Sequence, residues 1–310
     1  MLEVSDERTQ IDGQPVFWRS APAGGTGKAR AVPLYLHGVP GSSDDWVAPR
    51  PHRARTPWRR RWWRRRRASD EWVQPPPYEL GFLERSGGLA PDLPGFGRSG
   101  KAGYLSYTIA EYARFIERFL EELQIERVAL VMHDWGAVGL AFAQRHPERV
   151  QRLALINPVP LLPGVRWEGV ARIWRAPGLG ELAMGCTGRG VLRRASERYN
   201  ATPGPLPESW LDSVLEHFDQ GTQRAILRLY RSASEDELAR AGAELASVRA
   251  PALVVWGEQD PCVPERFARE YVDVLGSAQL KALAGAGHWP WLDRHDVIAT
   301  VTGFLAGGMD

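Results

Sequence analysis

Short apolar runs recur along this chain with helix-length amphipathic segments between them, and that alternation limits its fold more than any other feature. "AVPLYLHG" (31–38), "GGLAPDLPG" (87–95), "RVALVM" (127–132), "RLALIN" (152–157) and "ALVVWG" (252–257) are β-type runs bounded by turn or helix signals. Strands that are apolar on both faces belong to a parallel sheet covered by helices on each side, so the expected fold class is α/β. In "YTIAEYARFIERFLEELQ", Ile109, Tyr112, Phe115, Ile116, Phe119, Leu120 and Leu123 fall at helical spacing, with Thr108 as N-cap and Glu111 three residues on. "RTQIDGQPVFWRS" predicts a hairpin about Asp12-Gly13.

Two stretches break the alternation. From 158 to 246 no strand-like run occurs, and Pro and Gly ("RAPGLG", "ATPGPLP") divide what reads as several helices. This is an inserted helical cap, which leaves 1–157 and 247–310 as the core. The second stretch, 48–80, is rich in Arg and Pro and has no periodicity; Arg50 to Arg67 holds ten arginines and no acid. Trp58, Trp62 and Trp63 lie among those arginines, a mixture that could bind nucleic acid. Dense like charge with Pro favours a disordered, solvated loop, so nucleic acid is not the expected partner. A frame-disturbed coding stretch would read the same way.

The net charge of +2 hides this asymmetry, because without the ten arginines the remainder stands at −8. Cys186 and Cys262 cannot build a disulfide framework and have no metal-type Cys/His spacing, so neither a metal nor another cofactor is expected. "MLEVSDERTQ" lacks the apolar segment of a signal peptide, and no run of membrane-spanning length occurs. These features predict a soluble, cytoplasmic protein.

"RVALVMHDWGAVGLAFAQ" (127–144) places a carboxylate where a buried strand becomes a helix. Asp134 there admits two readings, a helix N-cap or a nucleophile. Asp260 after "ALVVWGEQ" and His288 in "LAGAGHWPW" also follow strand candidates, at the carboxyl ends where open α/β sheets gather their sites. Taken alone, Asp260 could be a turn residue and His288 a structural histidine. The order nucleophile, acid, histidine is that of α/β-hydrolase triads.

With "HGVPG" (37–41), "DLPGFGRSG" (92–100), "HDWG" (133–136), "WGEQD" (256–260) and "GHWPWLDR" (287–294), the chain resembles the α/β-hydrolase fold, in the haloalkane dehalogenase and epoxide hydrolase branch. The resemblance implies a triad of Asp134 as nucleophile, His288 as base and Asp260 as acid. It also implies an oxyanion hole from the backbone N–H groups of Val39 and Trp135. His37 and His133 are expected to shape the loop and the elbow, and Trp289 and Trp291 to pack. The expected partners are a small apolar organic substrate and water.

Within that branch the leaving group divides the readings. A halide needs N–H donors: Trp135 is present and Met132 suits a dehalogenase, but Val39 stands where many dehalogenases carry Asn. Trp167 and Trp174 could substitute, although aromatics seven residues apart more often pack a core. An epoxide needs a proton donor, and "ILRLYRSA" makes Tyr230 that donor by resemblance; "NPVPLLPGVRW" lacks the expected partner tyrosine, and Tyr199 does not match the pattern. Asn157 fits either family. Epoxide hydrolysis is the preferred reading and dehalogenation its alternative. A catalytically impaired binding protein is a third, because the insertion next to "HGVPG" could disturb the oxyanion hole.

Overall fold

The computed structural model describes residues 1–23, 31–49 and 80–307. One eight-stranded sheet runs through it in the order β1-β2-β4-β3-β5-β6-β7-β8. Its strands are β1 (Ser5–Ile11), β2 (Gln14–Ala21), β3 (Val32–Leu36), β4 (Gly88–Pro91), β5 (Val128–Asp134), β6 (Val150–Pro158), β7 (Ala252–Gly257) and β8 (Ala278–Leu283). β1 and β2 form the antiparallel hairpin expected at Asp12-Gly13, and Asp12 and Gly13 both take positive φ there. β2 pairs antiparallel with β4, and every later pairing is parallel. β5 is buried at all seven positions, as a strand with helices on both faces requires.

The helices are α1 (Phe82–Ser86), α2 (Ile109–Glu122), α3 (Val138–Arg145), α4 (Gly169–Arg175), α5 (Leu179–Cys186), α6 (Arg189–Ser196), α7 (Glu208–His217), α8 (Gln220–Ser232), α9 (Glu235–Ala241), α10 (Arg266–Leu275), α11 (Pro290–Asp293) and α12 (Asp296–Leu305). α2 starts where the sequence placed its cap: the Thr108 hydroxyl accepts the Glu111 N–H. The Glu111 carboxylate reaches past the cap to accept the N–H of Tyr107, one residue earlier than a capping box would.

Between β6 and β7 the described chain is helical, α4 to α9, with no strand. This segment is tied to the sheet by buried and polar contacts. Ser213 of α7 donates to Asp44, Lys101 pairs with Asp219, and Arg228 of α8 donates to the carbonyls of Gly103 and Leu105. The apolar face of α8, with Ala225, Ile226, Leu229 and Tyr230, joins the same core cluster as Trp135 and Val138. The helices therefore lie over the carboxyl end of β5.

β8, the strand that His288 was expected to follow, has no counterpart among the apolar runs. It is an edge strand whose central residues, Gln279 to Ala282, are largely exposed, so the apolar pattern that marks the inner strands is missing. Nearly all of the Arg/Pro-rich stretch, 50–79, lies outside the described residues, and so does the expectation about its order. Its two ends are described, and they touch: a Cβ on Gly81 would lie 2.5 Å from the Val47 carbonyl carbon, and Ala48 N–H donates to Glu84. Among the described residues no helix is long and apolar enough to cross a membrane.

Candidate active site

β5 ends in a turn that no ordinary strand end would adopt. Asp134 has φ +48° and ψ −118°, a region that costs a non-glycine residue on the order of 1–3 kcal/mol. Its carbonyl is anchored from the next strand by the Val159 N–H at 2.9 Å. Two glycines make the turn possible. A Cβ on Gly136 would fall 2.0 Å from the Leu36 carbonyl oxygen, and one on Gly38 would fall 2.5 Å from the Asp134 Cβ. Asp134 does stand at the N-cap of the single 3-10 turn Trp135–Ala137, but its side chain makes no capping bond.

The carboxylate turns instead toward the loop after β3. Oδ2 accepts the Val39 N–H at 2.7 Å, and the Trp135 N–H also acts on the carboxylate. Oδ1 faces His288 Nε2 at 3.7 Å. Helix-start N–H groups favour the ionised form, yet burial outweighs them: it raises the Asp134 pKa above the ordinary Asp value, while His288 and the two N–H groups pull it back part of the way.

His288 and Asp260 form a buried pair, with Nδ1 to Oδ2 at 2.8 Å. Burial alone would lower the His288 pKa. The carboxylates of Asp260, Asp134 and Asp45 outweigh it, so the net shift is upward. Asp260 is oriented by three donors besides the histidine's. Asn157 Nδ2 reaches Oδ2 at 2.8 Å, the Cys262 and Val263 N–H groups reach Oδ1 at 2.7 and 3.3 Å, and Asn157 itself is fixed by accepting the Gly257 N–H. The sequence reading left Asn157 without a task; here it positions the acid.

His37 and His133 stand where the sequence reading placed them, in the loop and at the elbow. His37 accepts the Leu93 N–H at Nε2 and meets the Gly38 carbonyl at Nδ1. His133 Nε2 lies 2.8 Å from the His288 carbonyl, and burial holds its pKa well below the usual histidine value, so it is neutral. Trp289 and Trp291 are buried against it.

Above the nucleophile sits an aromatic cluster. The Tyr230 ring meets Trp135 edge-on at 5.1 Å and touches Trp167 and Trp174 at 5.1 and 5.0 Å, while Trp167 stacks on Trp135 at 5.8 Å. Burial and the nearby Asp134 raise the Tyr230 pKa well above its ordinary value, which keeps its hydroxyl protonated. The Trp167 indole N–H is committed to the Ala233 carbonyl at 2.8 Å. The buried Trp135 indole nitrogen meets no acceptor in hydrogen-bond geometry, although its polarity is felt by the Tyr230 hydroxyl. A narrow crevice lined by Val39, Leu93, Phe96, Trp135, Val138 and Leu229 among others lies beside this cluster.

Tyr199, which matched no sequence pattern, is brought to the site by the loop after α6. Its ring centroid is 6.4 Å from that of His288, and its carbonyl accepts the His288 N–H. Asp45 is a buried carboxyl that the sequence reading passed over. Burial, reinforced by Asp44, Asp92 and Asp134, raises its pKa well above the usual range. Cys262, set aside for want of metal-type spacing, stands with Asp260 and His288 so that one ligand atom from each lies within 4.8 Å of the others.

Comparison with known proteins agrees with this geometry. The model of the alpha/beta hydrolase fold matches residues 34–294. A haloalkane dehalogenase of Bradyrhizobium diazoefficiens is 30% identical over 256 residues, spanning 71% of this chain and 78% of its own. Among solved structures, the haloalkane dehalogenase DbeA from Bradyrhizobium elkani superposes with a TM-score of 0.74 at 24% identity, over 98% of both chains. The epoxide hydrolase CorEH superposes at 0.73 and 20%, over 98% of this chain and 99% of its own. The sheet order, the elbow and the extent of the match together place the chain in the α/β-hydrolase-fold family.

Proposed function

We propose that the protein is a hydrolase acting through an ester on Asp134, with small epoxides as its substrates. Asp134 Oδ1 attacks a ring carbon, the carbon–oxygen bond breaks, and the Tyr230 hydroxyl gives its proton to the departing alkoxide. Oδ2 becomes the carbonyl oxygen of the ester, in the cradle of the Val39 and Trp135 N–H groups. That cradle is the oxyanion hole when water attacks, and one such donor is typically worth about 2.7–4 kcal/mol. His288 Nε2 takes the proton of the attacking water while Asp260 holds Nδ1–H; as the ester collapses His288 returns that proton to the departing alkoxyl oxygen, the diol leaves, and the proton left on the Asp134 carboxyl restores Tyr230.

One observation carries the choice of substrate. The Tyr230 ring stands edge-on to the nucleophile's neighbour Trp135, and its hydroxyl feels both Trp135 and Asp134, while the Trp167 indole is used up by Ala233 and Val39 has no side-chain donor. An alkoxide has its acid here, whereas a halide at Trp135 would need Trp174, on the far side of Tyr230, as its second donor. Tyr199 beside His288 supports the same reading, as the second site tyrosine that the sequence pattern lacked. Haloalkane dehalogenation is the second reading, favoured by the unpartnered Trp135 indole and by the relative at 30% identity.

The test is a panel of epoxides and brominated alkanes, with diol formation and halide release followed separately for the wild type, Asp134→Asn and Tyr230→Phe. Diol formation that is lost in Asp134→Asn and falls about 10²–10⁴-fold in Tyr230→Phe is expected. Halide release unaffected by Tyr230→Phe, with no diol, would install the dehalogenase reading. Full turnover by Asp134→Asn would refute the ester, and inactivity on the whole panel would favour a binding protein.

A further inference from the structure

Cys262 carries a thiol that neither the fold nor the hydrolytic mechanism uses. The residue is exposed and free of disulfide, but its thiol points inward, and a carboxylate oxygen of Asp260, its own sulfur and a ring nitrogen of His288 lie within 4.8 Å of one another. The nitrogen on that side is Nδ1, 2.8 Å from Asp260 Oδ2. We propose that Asp260, Cys262 and His288 form an inhibitory site for a thiophilic divalent cation of the zinc class, which disables the triad by taking its histidine.

The donor set fits that class. Zinc accepts thiolate, imidazole and carboxylate together, with bonds of about 2.0–2.3 Å, so tetrahedral ligands stand roughly 3.3–3.8 Å apart. The donor atoms lie within 4.8 Å of one another, about 1 Å more than this, and the adjustment falls to the Cys262 thiol, the one donor not held by hydrogen bonds to Asn157, Val263 or Asp260. Two donors are buried and already aligned: the Asp260 side chain is held by Asn157 and by the Cys262 and Val263 N–H groups, and His288 is fixed against Asp260. The exposed position of Cys262 supplies the path of entry. Magnesium and calcium, which prefer all-oxygen shells, are not matched by this set.

The proton balance explains the inhibition. Binding expels the thiol proton, and the metal replaces the Nδ1 proton that now bridges to Asp260. A neutral imidazole bound at Nδ1 carries its one hydrogen on Nε2, the nitrogen 3.7 Å from Asp134. In that form Nε2 donates and cannot accept a proton from water. Alkylation of Asp134 needs no base, so the ester forms once and persists. This kinetic consequence rests on the ester mechanism proposed above; metal binding itself does not.

The experiment titrates Cd²⁺ into the purified full-length protein and follows the thiolate-to-metal charge-transfer band in the ultraviolet. The wild type and Cys186→Ala are expected to show one saturable band that Zn²⁺ competes away, and Cys262→Ala to show none. His288→Gln should keep the band but bind Cd²⁺ at least tenfold more weakly. With an active substrate, Zn²⁺ should halt the wild type reversibly at a single ester, and a tenfold or greater loss of sensitivity, each protein measured against its own metal-free rate, is expected in Cys262→Ala. A band that survives in Cys262→Ala, no band in the wild type, or equal affinity in His288→Gln would each overturn the site. The band without turnover would uphold the site and count against the hydrolytic reading alone.

Discussion

Replacing Asp260 by Asn should trap the reaction halfway, and the reason lies in hydrogen-bond directions. The two oxygens of Asp260 have different partners: Oδ1 accepts two backbone N–H groups, from Cys262 and Val263, and Oδ2 faces Asn157 Nδ2 and His288 Nδ1. An amide must choose which side keeps its oxygen. If its NH₂ faces the loop, two N–H donors lose their acceptor, at about 1–3 kcal/mol each when buried. If its NH₂ faces the histidine, one clash with Asn157 arises, and Nδ1 must become an acceptor. The second arrangement is less costly, and it moves the imidazole hydrogen to Nε2, where it abolishes the base. General-base assistance is typically worth about 10²–10⁴-fold, and the deficit falls on ester hydrolysis and not on ester formation. Rapid mixing with substrate followed by intact-mass measurement should therefore show Asp260→Asn accumulating one substrate adduct on Asp134, with turnover reduced by two to four decades. Turnover within about tenfold of wild type, or slow turnover with no adduct, would refute the tautomer argument.

Further consequences can be measured. His288 must be neutral to take a proton from water, and its pKa is raised above 6.5, chiefly by Asp260 against the effect of burial, so turnover should climb with pH through a limb above that value; a pH–rate profile that is flat from about pH 6 to 9 would contradict this. Gly136→Ala would press a methyl to 2.0 Å from the Leu36 carbonyl oxygen and force β3 and the elbow apart. A destabilisation of about 1–3 kcal/mol in a urea titration is expected, and an unchanged midpoint would contradict it. Residues 50–79 leave and re-enter the fold at adjoining points, Val47 and Gly81, so replacing them with two glycines should preserve the fold. Loop-closure entropy then predicts a gain of roughly 2 kcal/mol, and failure of the shortened chain to fold would show that the segment is structurally required.

The meeting of Asp134 and Asp260 at one edge of the sheet was legible in the sequence because a parallel sheet delivers the residues just after its strands to one edge, and apolar runs announce β5 and β7. The hairpin and the Thr108 cap were legible because each depends on a few neighbouring residues. β8 was not, since an exposed edge strand has no reason to be apolar. What the linear order could not reveal are the choices made across long separations. It left Trp167 free as a halide donor until Ala233, 66 residues away, claimed its N–H. It left Tyr199 outside any pattern until the loop after α6 laid it against His288. It read Cys262 as lacking partners, because metal spacing is a rule about neighbours in a chain and these ligands are neighbours only in space. Periodicity and turn chemistry are local and can be read along the sequence, so they determined the inner strands and the polar residues that follow them. Which hydrogen bonds are already spent depends on how the helices between β6 and β7 pack over the sheet, and only the tertiary structure decided that.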